Sequence, residues 1–185
     1  MTTDDPRAKT GGIWPAGLPT GQSWLDLGAL LHLCDKYEIK SFIEIGVLEG
    51  GLAAFIFGRV RFSEKFRYLG IEVESRFLSS GLQQGFNIYR GFDLFIGDAF
   101  DEPMIVAVSH WIGAGSGRVL LYCDDGDKPR EFAAYSSILR TEDLIAAHDV
   151  GFEFKAEDLK IERPMERIDS DWLKDTRLIA FRMVG

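Results

Sequence analysis

At 185 residues the chain is long enough to bury one sizeable core and too short for two comfortable domains. Its 46% hydrophobic and 27% charged residues are ordinary for a soluble globular protein, and its apolar runs stop well short of the roughly 18 residues that suggest a membrane span. A formal net charge of −8, with no dense Lys/Arg run, argues against nucleic acid, since gripping phosphates needs a basic surface to displace counterions. A small-molecule or carbohydrate partner fits better.

Residues 1–22 read as an N-terminal arm before a single domain over 23–185. The arm opens on polar MTTDDPRAKT, without the apolar stretch of a signal peptide, so a cytoplasmic location is the expectation. Its Ile13 to Pro19 segment, IWPAGLP, is apolar and proline-rich and should lie on something, with Trp14 either part of a substrate wall or a strap on the core. Ser23 with Asp26 three residues later approximates a capping box, and Leu27, Leu30, Leu31, Cys34 and Tyr37 recur at helical spacing, predicting a core-facing helix to about Glu38. His32 within it has no neighbours at metal-ligand spacing and reads as surface or satisfied core. Cys34 and Cys123 fall in apolar runs and read as reduced core residues rather than a disulfide.

The stretch that organises the chain is Phe42 to Gly51, FIEIGVLEGG. Phe42, Ile43 and Ile45 form the short apolar run of a strand buried on both faces, the turn carries Gly46, Gly50 and Gly51, and Leu52 to Val60 is spaced as a helix. A helix N-terminus against a glycine turn suits an anion, whereas Glu44 suits a cationic or amine-bearing group; an amino-acid moiety carries both. The glycines do not follow the first, third and sixth places of the dinucleotide fingerprint.

Tyr68 to Val73 predicts a second strand ending at Glu72, followed by a helix over about Arg76 to Gln84. A third strand, Phe92 to Ile96, runs into Gly97, Asp98 and Ala99, and Pro103 opens a helix continuing to about Ile112. GAGSG at 113–117 is a loop. Val119 to Cys123 is a fourth strand ending in Asp124, and Pro129 opens a helix with Phe132, Tyr135 and Leu139. Leu144 to Ala147 is a fifth strand, ending in His148 and Asp149. Alternating strands and helices predict an α/β fold with a parallel sheet covered by helices. Arg177 to Val184 is strand-like with no helix after it, so it joins the sheet as an antiparallel edge or insertion, with Ile161 to Ile168 as a candidate partner.

Acids recur at the carboxyl ends of successive strands, at Glu44, Glu72, Asp98, Asp124 and Asp149, and that edge is where open α/β sheets bind ligands. Taken singly each is a turn or cap residue as readily as a ligand contact. EIGVLEGG, GIEVE at 70–74 and IGDAF at 96–100 resemble motif I, motif II and the adenine-binding segment of the class I S-adenosylmethionine (SAM)-dependent methyltransferases, over roughly Ser23 to Gly185. The resemblance implies a Rossmann-like, doubly wound sheet of seven strands. It also implies that Gly46 with Gly50 and Gly51 holds the methionine part of SAM, that Glu72 accepts from the ribose hydroxyls and that Asp98 accepts from the adenine amine beside Ala99.

LLYCDDGDKPREF and IAAHDV are similar to a branch that includes rhamnosyl O-methyltransferase-like and cephalosporin-hydroxylase-like proteins. In its metal-dependent members an acid ending strand four and an acidic pair ending strand five hold Mg²⁺. Asp124 and Asp149 match those positions, while His148 replaces the first acid of the pair. Imidazole suits Zn, Fe, Ni or Cu better than Mg²⁺. Alternatively His148, with an ordinary pKa near 6.5, serves as general base; Lys128 orients substrate or is simply solvated. The implied activity is methyl transfer to an oxygen, with acceptor contacts from the N-terminal segment, the loop after His148 or a second subunit of a homodimer. Two other readings are a catalytically inactive SAM-binding or interaction protein on the same fold and a nucleotide-cofactor Rossmann enzyme.

Overall fold

The computed structural model describes residues 13–14, 18–60 and 66–185; most of the N-terminal arm, and the roles considered for the Trp14 ring, lie outside the described residues and side chains. A two-residue pair, β1 (Ile13–Trp14) with β2 (Leu18–Pro19), runs antiparallel and lies against the helix that follows the first long strand, so the described ends of the apolar IWPAGLP segment rest on the domain.

Helix α1 (Trp24–Lys36) starts at Ser23, whose side chain accepts the Asp26 N–H while the Asp26 carboxylate accepts the Ser23 N–H, the reciprocal box expected from the sequence. There follow β3 (Ile39–Ile45), α2 (Gly51–Val60), β4 (Arg67–Glu72), α3 (Ser80–Ile88), β5 (Phe92–Ile96), α4 (Glu102–Gly113), β6 (Arg118–Cys123), α5 (Lys128–Ser136), β7 (Leu144–Ala147), β8 (Met165–Arg167) and β9 (Ile179–Met183). The seven long-range strands form one sheet in the order β5-β4-β3-β6-β7-β9-β8. Five are parallel, and β9 is antiparallel to both β7 and β8. The last strand is therefore an insertion between its partners rather than the sheet edge.

Period-two alternation assigns the core. Phe42, Tyr68, Leu120, Tyr122, Leu144 and Ala146 pack beneath α1, α2 and α3, while Ile43, Ile45, Leu69, Leu121, Cys123 and Ile145 pack against α4 and α5. Helices thus cover both faces of a doubly wound sheet, as expected. Cys34 and Cys123 form no disulfide, and His32 is exposed beside Trp172. Among the described residues no helix is long and apolar enough to cross a membrane.

Two boundaries differ from the sequence reading. The helix expected from Arg76 is a 3-10 turn at Ser75–Phe77, broken by extended Leu78 before Ser79 caps α3 through the Leu82 N–H. Helix α5 ends at Ser136, so Leu139 is buried from the following loop.

Gly46 ends β3 with φ +86°, and a Cβ there would stand 2.9 Å from the Asp125 backbone. Both the left-handed conformation and the close approach of two strand ends exclude a side chain. Gly46→Ala is expected to cost about 2 kcal/mol or more, read as a lower urea midpoint at unchanged m-value.

Candidate active site

The parallel ladder continues one residue past β3, β5, β6 and β7: the N–H groups of Gly46, Gly97, Asp124 and His148 donate to the carbonyls of Ile71, Glu72, Ile45 and Cys123 at 3.0, 2.9, 3.1 and 3.1 Å. This register brings the acids after β3 to β7 to one edge. Glu72 is buried there, its carboxylate accepting the N–H groups of Leu48 at 2.7 Å and Val73 at 2.8 Å. Asp98 accepts the Phe100 N–H at 2.8 Å; Ala99 is buried, and its carbonyl accepts the Tyr135 hydroxyl at 2.7 Å. Each Glu72 and Asp98 oxygen retains a lone pair, because one N–H uses one of two. Leu48, Val73, Phe77 and Ile96, which the motif reading passed over, stand exposed on the same turns.

At the glycine turn, Gly51 begins α2, whose first turn carries no acid, so its N–H groups face no charge of their own helix. Gly50, at φ +90°, is covered by Leu82 of α3 so closely that a Cβ would overlap the leucine side chain. Glu44 requires a correction. Its parity turns it into the α1–α3 face, where it is 2% exposed and accepts the Tyr68 hydroxyl. Burial, with Asp124 and Glu72 nearby, pushes its carboxyl well above the usual range despite that bond. It lies beneath the turn, on the Tyr68 hydroxyl, rather than open at the sheet edge.

The densest chemistry is at the ends of β6 and β7. His148 is 2% exposed, with Nδ1 2.9 Å from Asp124 Oδ1 and 3.4 Å from Asp149 Oδ2, and Nε2 3.4 Å from Asp26 Oδ2. Asp26 is held in turn by the Ser23 hydroxyl at 2.6 Å and by the N–H groups of Ser23 and Arg177, each at 2.9 Å. Gln22 donates its amide to the other Asp124 oxygen. Arg177 pairs with Asp149 Oδ1 at 3.0 Å; Lys128 Nζ bonds Glu153 at 2.5 Å and lies 3.9 Å from Asp149 Oδ2.

Burial alone would lower the His148 pKa, but the bonds to Asp124 and Asp26 and the charges of Asp124 and Asp149 push it up to about 9. Burial likewise opposes the Asp26 anion, yet His148, Ser23 and the Arg177 N–H hold that carboxyl far below the usual range. For Asp124 burial prevails over His148 and Lys128, and its pKa is raised. With both nitrogens on carboxylates and a pKa of about 9, the ring is a held cation at neutral pH; once neutral it keeps one lone pair, on Nδ1 when Nε2–H donates to Asp26. Lys128, occupied by Glu153 and Asp149, braces the loop after β7 rather than reaching outward. The sequence brings Asp124, His148 and Asp149 together as anticipated, and their ligand atoms lie within 4.8 Å of one another. Asp26 and Arg177 were missed; the only signal for Asp26 was its capping position.

No family model matches the sequence, and no curated protein matches it. Solved structures do match. CmcI in its apo form is 13% identical, with 92% of this chain and 76% of CmcI covered and a TM-score of 0.67. It matches also with S-adenosylhomocysteine (SAH) bound, at 12% identity and TM-score 0.63 over 91% of this chain and 80% of that one. The form with Mg and SAM is 15% identical over 74% of this chain and 56% of that one, with a TM-score of 0.56. A protein described as a caffeoyl-CoA O-methyltransferase from Staphylococcus aureus is 13% identical, over 91% of this chain and 86% of that one, with a TM-score of 0.61. SAH-bound methyltransferase PaMTH1 from Podospora anserina is 14% identical, over 89% and 80%, also at 0.61. The fold is the Rossmann-like fold of these methyltransferases.

The groups facing His148 are Asp26 from α1, Asp124 from β6 and its own neighbour Asp149, with Arg177 and Lys128 behind Asp149. A folded-state pKa of about 9 against about 6.5 unfolded means that the stabilisation is fully present below pH 6.5 and lost as pH rises through 9. Chelator-treated protein is expected to lose about 3 kcal/mol of unfolding free energy over that window in urea titrations. His148→Gln should be less stable at pH 6 and lack this slope.

Proposed function

We propose that the protein transfers the methyl group of SAM to an oxygen of a small-molecule or sugar acceptor. The observation that carries this reading is Glu72, fixed by two backbone N–H groups at the end of β4 with acceptor capacity to spare, beside the glycine turn of β3. Paired hydroxyls of a ribose are the ligand such a carboxylate suits. Exposed Leu48, Val73, Phe77 and Ile96 give a flat apolar ring somewhere to lie, Asp98 can accept from its amine, and the N-terminus of α2 favours a carboxylate. The chemistry that SAM supplies when bound is a methyl group on a sulfonium leaving group. The SAH and SAM carried by the solved methyltransferases of this fold support the assignment.

On the acceptor side, a cavity of about 360 Å³ opens between the loop after β7 and the segment entering β9, lined by Ser23, Val150, Phe152, Lys174, Thr176 and Arg177 among others; Arg177 also pairs with Asp149. The loop after His148 was one of the sources expected for acceptor contacts. Phe152 is 74% exposed with the Arg177 guanidinium 5.4 Å from its ring centre, so the wall offers an apolar face backed by a cation. Asp124 is the carboxylate best placed to take the acceptor proton: its side chain is 13% exposed against 2% for His148, and burial raises its pKa above that of an ordinary carboxylate. Most of the acceleration comes from alignment of the two reactants. Where a divalent ion takes part, Asp124, His148 and Asp149 would hold it and it would lower the charge of the acceptor oxygen.

Calorimetric titration with SAM and SAH, with NADH as control, is expected to show binding of the adenosyl ligands alone, weakened about tenfold by Glu72→Gln. Binding of NADH alone would overturn the assignment. Asp124→Asn should leave SAH affinity intact and lower kcat about a hundredfold. Phe152→Ala should raise KM for the acceptor without changing the affinity for SAH. Tight SAH binding with no turnover on any hydroxylated acceptor would favour the inactive reading of the same fold.

A further inference from the structure

The side chain that the capping box places at the start of α1 does more than cap. Asp26 is fully buried, four donors fix its two oxygens, and one of those oxygens faces Nε2 of His148. The arrangement leaves Nδ1 of the same ring aimed between Asp124 Oδ1 at 2.9 Å and Asp149 Oδ2 at 3.4 Å. Two ligand atoms bound at about 2.1 Å to one ion are separated by about 3.0 Å at an octahedral right angle and about 3.4 Å at a tetrahedral one. The two spacings from Nδ1 match those values, and all three ligand atoms lie within 4.8 Å of one another, so they converge on one position for an ion. A histidine ligand whose far nitrogen donates to a carboxylate is oriented by it and made a better donor. Arg177 occupies Oδ1 of Asp149, while Lys128 bonds Glu153 at 2.5 Å and stands 3.9 Å from Oδ2, farther than the imidazole Nδ1 at 3.4 Å.

We infer that Asp26 is a positioning residue that fixes His148 as an Nδ1 ligand, and that the resulting two-carboxylate, one-imidazole site selects an imidazole-accepting divalent ion of the Mn²⁺–Co²⁺–Zn²⁺ group over Mg²⁺. The inference deepens the proposed function by naming the class of ion, yet it stands on the geometry of these four residues alone. It therefore survives or fails independently of SAM.

The test uses the full chain stripped with chelator and titrated with Co²⁺, Mn²⁺ and Mg²⁺ in turn, with SAH binding measured in parallel. Because most sites favour Co²⁺ over Mg²⁺ to some degree, the deciding quantity is the ratio of the two dissociation constants and its change on mutation. The wild-type ratio should fall at least tenfold in His148→Asp, which offers oxygen instead of nitrogen. Pulsed electron paramagnetic resonance of the Mn²⁺ form should show coupling to one imidazole nitrogen that disappears in that variant. Asp26→Asn should weaken Co²⁺ binding about 10- to 100-fold while SAH affinity stays as in wild type.

An unchanged ratio in His148→Asp, the absence of nitrogen coupling in wild type, or no binding of Co²⁺ and Mn²⁺ at millimolar concentration would each overturn the inference. If Asp26→Asn fails to fold for want of its cap, the nitrogen coupling and the His148→Asp ratio still decide it. Ion binding with the expected coupling but no SAH binding would uphold the site and defeat the methyltransferase reading.

Discussion

The buried line of charge from Asp26 through His148 to Asp124 is the constraint around which the rest of the domain is arranged. Its members come from the first turn of α1, the end of β7 and the end of β6, and the Arg177 backbone adds the approach to β9. Removing charged groups from water costs several kcal/mol each, and only close pairing with every polar atom engaged offsets that cost. Each member here has its partners: Asp26 has four donors, and Asp124 has His148 on one oxygen and Gln22 on the other. The line thus fixes how α1 sits on the sheet. A shift of α1 by one turn would leave Asp26 and the far side of His148 buried without partners, which costs more than the helix could regain elsewhere.

Strand parity explains why the charges converge. Glu44, Tyr122, Asp124, Ala146 and His148 share the face covered by α1 to α3, and Phe42, Tyr68 and Tyr122 stack along it. The polar cluster caps the end of this aromatic row, so its lower side is sealed from water and its upper side meets the turns. Asp149, next in sequence to His148, would by parity face α4 and α5. It has φ of +63°, a left-handed conformation uncommon for a residue other than glycine, and this swings its carboxylate back beside the imidazole. Such a conformation costs on the order of 1 kcal/mol and persists where the surroundings enforce it. Arg177 is the enforcing partner here, holding the carboxylate from the entrance to β9.

How much of this was legible in the sequence follows from the range of each interaction. Short apolar runs marked all five parallel strands and the final antiparallel one, because burial on both faces of a sheet leaves its trace within a few residues. Ser79 as a cap and Leu78 as a break were less visible, since one hydroxyl bond overrides a continuous helical spacing. The acids at the strand ends were readable as a set for the same reason that the strands were. What they touch was not readable. Asp26 and His148 are 122 residues apart, and nothing near Asp26 distinguishes a cap from a cap that also holds a histidine. Glu44 misled in the opposite direction, because a strand-end position implies an open carboxylate only if its parity points out of the core.

Position 148 shows how one substitution keeps such a cluster viable. Asp26, Asp124 and Asp149 converge on it. A carboxylate at 148 would add a further acid at the centre, and Lys128 and Arg177 reach only the Asp149 side. An imidazole resolves the imbalance in either of its states. Protonated, it supplies the missing positive charge to both Asp26 and Asp124. Neutral, it would offer Nδ1 to a divalent cation that supplied the charge instead, with Nε2–H remaining on Asp26. Both states would neutralise the same carboxylates, so the cluster would hold its shape with either cation, Asp26 keeping the ring in one orientation for both.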